Sequence, residues 1–177
     1  VAQGKRKRLA IAGKGQALSC IIEEFTKMAT EQIRNTSCLK RVKEELESTI
    51  ADLEKLWALY LDDPESSDDN LGNMYEYGLA FDYVAPCTFK NQKQGYFRYQ
   101  ISWGGPSDEF RFYTDENLKP YKIEYWFMDW FDGAKKILSG TKFRLLAEIF
   151  DIFFEQSGAV KAEYDKAMED YGSKGEE

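Results

Sequence analysis

Two periodicities divide this chain. Leu18, Ile21, Ile22, Phe25, Met28, Ala29 and Ile33 recur at three- and four-residue intervals, which predicts a helix over 16–35. A second helix is expected over 38–61, where Leu39, Val42, Leu46, Thr49, Leu53, Leu56 and Tyr60 form a near-heptad seam widened by Ile50 and Trp57. The break at Asn35-Thr36-Ser37 is short, so the two helices should fold as an antiparallel hairpin, with Thr36 or Ser37 capping the second. A homodimer through this hairpin is the alternative use of the seam.

Beyond residue 73 the period changes to two. Tyr75, Tyr77, Leu79, Phe81 and Tyr83 share one parity over 74–84. Phe97, Tyr99, Ile101 and Trp103 do the same over 96–103, opposite Tyr96, Arg98, Gln100 and Ser102. Glu109–Tyr113 and Tyr121–Trp130 complete four expected strands, separated by turns at 104–108 and 114–117. Asp132-Gly133 should close the sheet region. A strongly apolar helix follows over 140–156, ended by Gly158, with a weaker one over 159–171. The predicted fold is α+β: a helical hairpin, a four-stranded antiparallel meander, and C-terminal helices packed on it. It forms one domain over 15–171, between a basic arm at 1–14 and a disordered tail at 172–177.

Charge sharpens this picture. The 177 residues carry a net charge of −7, but the first 45 hold ten Lys/Arg against five Asp/Glu, and the rest fourteen against twenty-six. The acidic body should attract basic partners. The run Lys5, Arg6, Lys7 and Arg8 works the other way and can contact a phosphate backbone. Asp62, Asp63, Glu65, Asp68 and Asp69 crowd a loop that Pro64 helps to break from the helix. They read either as a solvated loop or as a patch with nucleic-acid-like charge density. No run is apolar enough to span a membrane, and the absence of an apolar signal region leads to an expected cytoplasmic location.

Candidate chemistry is sparse. There is no histidine, which excludes Ser-His-Asp and Cys-His arrangements. Cys20, Cys38 and Cys87 have no metal-ligand spacing and read as reduced thiols. The segment AGKGQ at 12–16 lacks the pattern of a phosphate loop. Asp108, Lys122 and Glu124 faintly match a metal-dependent nuclease set, with the acid-x-lysine triplet reversed. A hydrolase is therefore the least favoured reading; no cofactor and no catalytic residue is expected. Base stacking on the aromatic strands ranks low too, because acids outnumber the nearby Arg98, Arg111, Lys119 and Lys122.

The blocks SWGGPSDEFRFY (102–113) and IEYWFMDWFDGA (123–134) are similar to segments of small accessory proteins of phages and plasmids. With its acidic character, the chain resembles anti-restriction and anti-CRISPR proteins, several of which imitate DNA. The blocks cover about a seventh of the chain, and the basic arm departs from a uniformly acidic mimic. The resemblance implies inhibition by occupying a nuclease or effector complex. The sequence thus leads to an expected non-enzymatic inhibitor that binds the basic surface of a host nucleic-acid-binding protein or nuclease complex. Asp62, Asp63, Glu65, Asp68, Asp69, Asp108, Glu109, Asp115, Glu116, Asp129 and Asp132 would oppose the partner's cations, with Trp103, Trp126 and Trp130 as aromatic anchors. The alternative is a direct nucleic-acid binder using Lys5–Arg8.

Overall fold

The structure is a computed structural model that describes residues 37–173. The expected helix over 16–35, and with it the hairpin, the Lys5–Arg8 arm and Cys20, lie outside the described residues. The second expected helix is α1, Cys38–Asp62. Its buried stripe of Val42, Leu46, Ile50, Leu53, Leu56 and Trp57 follows the predicted seam except at Leu39, which is exposed in the first turn, and it packs within the chain, against the sheet and the next helix.

Of the two expected caps, Thr36 lies outside the described residues, and the role expected of Ser37 is filled from afar. Ser37 makes no side-chain capping bond, and the first-turn N–H of Cys38 donates to Asp132 Oδ2 at 2.7 Å. A carboxylate there also meets the positive end of the helix dipole.

The sheet has five strands, not four: β1 Ala80–Val84, β2 Tyr96–Ser102, β3 Ser107–Thr114, β4 Pro120–Asp129 and β5 Asp132–Ile137. They form an antiparallel meander in chain order. The unexpected β5 (DGAKKI) buries only Ala134, so it carries no alternation to read. Pairing with β4 through a turn at Trp130-Phe131 holds it in place. β1 starts six residues later than the alternation predicts. Asn73 Oδ1 accepts the N–H groups of Tyr75 and Glu76, which diverts that segment into a turn. Gly78 then crosses so close to Tyr99 that an added Cβ would lie 2.1 Å from its ring.

After β5, α2 (Gly140–Ile149) runs on as a π-helical turn, Phe150–Glu155, and α3 (Ala159–Ser173) closes the described chain. Phe150 packs on Phe97 and Phe112 with ring centroids 5.5 and 5.0 Å apart. Phe154 stacks on Phe81 at 3.9 Å. α1 and α2 share one face of the sheet: Arg41 sits over the Phe127 ring, and Trp57 Nε1 donates to Glu148 of α2. One face of the meander therefore holds the core, and no described helix covers the other.

Candidate functional site: the open face of the sheet

Parity along each strand sorts the side chains. Phe97, Tyr99, Phe110, Phe112, Ile123, Tyr125 and Phe127 point to the helices, leaving Tyr96, Arg98, Glu109, Arg111, Tyr113, Lys122, Glu124 and Trp126 on the open face. This face floors a concavity of about 1120 Å³. The β1–β2 loop walls it at one end with Phe89, Lys90 and Lys93. The β2–β3 turn and the β4–β5 hairpin wall the other with Trp103 and Trp130.

The floor is a network of rings and charges. The Arg111 guanidinium lies 3.9 Å from the Trp126 ring centroid and 4.8 Å from that of Tyr96, and its Nε donates to Glu109 at 2.6 Å. Lys122 sits 3.5 Å over the Tyr113 ring, and Lys135 4.9 Å over Trp126. Cation–π attraction of this kind strengthens as the pair leaves water. Glu124, only 2% exposed, accepts from Lys135 Nζ at 3.0 Å, Trp126 Nε1 at 2.9 Å and the Tyr113 hydroxyl at 3.2 Å. Lys122 Nζ is a further 3.4 Å away. Burial raises the Glu124 carboxyl, but these donors and charges outweigh it and hold it below the usual carboxylate range. Burial, reinforced by the Glu124 charge, pushes the Tyr113 phenol up to about 12.

Arg98 and Arg111 are direct cross-strand neighbours, an arrangement that like charges oppose. Each is neutralised by its own acid: Arg98 makes two hydrogen bonds to Asp82 at 2.9 and 2.7 Å, and Arg111 bonds Glu109. Six Lys/Arg line the concavity against two acids, Glu109 and Glu124. In a chain of net charge −7 this is a local reversal of sign.

The structure redistributes the residues singled out in the sequence. Trp103, Trp126, Trp130 and Glu109 meet in the concavity. Glu109 is buried against Arg111 rather than set on an exposed rim. Asp108 is buried too and faces the helices, where it accepts from Tyr125 Oη at 2.7 Å and from the Ser102 hydroxyl. Asp129 accepts from Arg41 Nη1 at 2.7 Å, and Asp132 caps α1. Asp115 organises its own turn by accepting from the N–H groups of Asn117 and Lys119. Asp68 pairs with Lys55 and accepts from the N–H groups of Asn70 and Leu71; these partners, Lys55 foremost, lower its pKa. Asp62, the last residue of α1, and Asp63, Glu65, Asp69 and Glu116 on loops stay exposed. Asp108 and Glu124 leave the sheet from opposite faces, so the nuclease set does not assemble. Among the described residues no cluster of three or more Cys, Asp or Glu is arranged to hold a metal ion.

Arg98, Arg111, Lys122, Lys135 and the loop lysines Lys90 and Lys93 are the members that sequence reasoning did not assemble. Shared parity within β2, β3 and β4 was the available signal. No protein-family model, curated protein or solved structure matches the chain. Among the described residues no helix is long and apolar enough to cross a membrane.

Proposed function

We propose that this chain is a non-enzymatic binding protein that takes an anionic partner on the open face of its sheet. The observation that carries this reading is the excess of cations over acids around one aromatic concavity of an acidic protein, six to two among the lining residues and six to three with Asp82, the partner of Arg98. Glu109 and Glu124 already have cationic and ring N–H partners within the chain, so the donors still available belong to lysine and arginine. The exposed Lys90 and Lys93 make no ion pair with any described residue. The test is titration with heparin, a flexible polyanion, at low and moderate salt. Binding should weaken steeply as salt rises, and the double variant K90E/K93E should lose about tenfold or more in affinity. Absence of binding, or an unchanged affinity in the variant, overturns the reading.

A second reading rests on a different surface. Asp62 at the last residue of α1 and Asp63, Glu65 and Asp69 just beyond it are exposed and make no ion pair with any described residue. They support an inhibitor that opposes the basic surface of a host nuclease or other nucleic-acid-targeting complex, as in proteins of the anti-restriction and anti-CRISPR type. Recovery of such a complex from host lysate, lost on charge reversal at these four positions, is the expected result. Recovery insensitive to that reversal, or no recovery, sinks it.

A further inference from the structure

Resting on the open-face reading above, we infer that the anionic partner is single-stranded nucleic acid, lying along the concavity with bases stacked on Trp103 and Trp130. The rings of this face fall into two groups. Tyr96 and Trp126 on the floor are occupied, clasping the Arg111 guanidinium between them. Trp103 and Trp130 on the end wall are 77% and 86% exposed. Both come from the same end of the meander, one after β2 and one at the β4–β5 turn. They belong to one wall, because an added Cβ at Gly105, two residues after Trp103, would lie 3.1 Å from Trp130 Nε1. Large rings left to water beside a cationic groove supply what single strands need, a π-face for the base and positive charge for the backbone.

The two floor carboxylates select among polyanions. Glu109 and Glu124 are almost fully buried beneath the groove, 3% and 2% exposed. A phosphate laid on that floor meets their negative charge, whereas a phosphate at the rim meets Lys90 and Lys93. The favoured pose therefore puts backbone at the rim and turns bases inward. A duplex cannot adopt it, since its bases are paired and stacked on one another and cannot turn a face onto a tryptophan ring. Length is bounded as well. β3 has eight residues, which at ~3.3 Å each spans about 26 Å. That is room for up to about eight nucleotides at a stacked rise of ~3.4 Å.

The test uses fluorescence anisotropy of labelled dT4, dT8 and dT12, with rU8, a 12-base-pair duplex, heparin and poly-glutamate as comparison probes, against the full chain. Expected are affinity that rises from dT4 to dT8 and flattens by dT12, preference for dT8 or rU8 over the duplex, and loss of at least about fivefold in W103A and in W130A. The ratio of rU8 to dT8 affinity assigns the source as RNA or DNA. Both tryptophans are exposed, so these variants should retain the fold, which circular dichroism checks. Heparin affinity should not move in W103A or W130A. Heparin binding that depends on Lys90 and Lys93, with dT8 and rU8 no better than the duplex or insensitive to W103A and W130A, overturns this inference and leaves the open-face reading standing. Poly-glutamate bound more tightly than dT8 and rU8 overturns it in favour of an acidic protein partner. No binding of any probe overturns both.

Discussion

Asp132 Oδ2 accepts the backbone N–H of Cys38 at 2.7 Å, so the start of α1 is capped from a hairpin 94 residues further along the chain. The neighbouring Arg41–Asp129 ion pair, also 2.7 Å, ties the same two elements. Two acids that look like surface charge in the sequence thus join the long helix to the sheet edge.

Asp132→Ala should lower the thermal midpoint, whereas Asp132→Asn, which still offers a capping oxygen, should retain most of it. The pH dependence follows from the same contact. The Cys38 N–H, above all, holds the Asp132 carboxyl below its ordinary range. A depressed folded pKa means that the contribution is present above the unfolded value of about 3.9 and is lost as pH falls through the lower folded value. Thermal melts of wild type and Asp132→Asn between pH 7 and pH 3 should therefore converge toward the acid end.

Glu124→Ala should destabilise by about 2 kcal/mol in urea denaturation, since it strands the Trp126 N–H and leaves Lys135 and Lys122 without their shared acceptor. Both lysines are partly exposed, which keeps the loss below that of a fully buried pair. Glu124→Gln keeps an acceptor and should cost less. If Glu124→Ala is neutral, the floor network contributes nothing to stability.

Phe150→Ala should cost about 3–5 kcal/mol, because its fully buried ring joins α2 to Phe97 and Phe112. Trp103→Ala should stay within about 0.5 kcal/mol, as an exposed ring away from the core. Chemical denaturation separates the two. A large loss in Trp103→Ala would mean that this ring supports the fold and is not held out for a ligand.

Gly105→Ala should displace Trp130, whose Nε1 lies 3.1 Å from the position of the new methyl group. The expected outcome is a shifted tryptophan emission and weaker dT8 binding, with the core intact by circular dichroism.

Deleting residues 1–14 separates the arm from the groove. The arm's four consecutive cations add a salt-dependent contribution if they contact phosphate. The truncated chain should then bind dT8 more weakly, yet remain sensitive to Trp103→Ala. Loss of all binding on truncation would assign the activity to the arm.

The period of the apolar residues determined much of this protein by itself. Spacing of three and four between Val42 and Trp57 set which side of α1 is buried. Alternation from Phe97 to Phe127 set which strand residues share a face. These are local consequences of 3.6-residue and two-residue repeats, so they are written in the order of the side chains. β5 was not legible, since a strand held by pairing to β4 needs little apolar pattern of its own. Nor was the choice of cover: parity shows that Arg111 and Glu124 share a face, but not which face the helices leave open. Packing α1 and α2 together on the Phe97–Phe112 side decided that, and with it where the charges fall. Asp108, Asp129 and Asp132 were drawn into contacts with Tyr125, Arg41 and the Cys38 N–H, while Arg98, Arg111, Lys122 and Lys135 gathered on the other side. Net charge is a sum over the sequence, but the field at a surface depends on which charges the fold pairs off and which it leaves facing the same space.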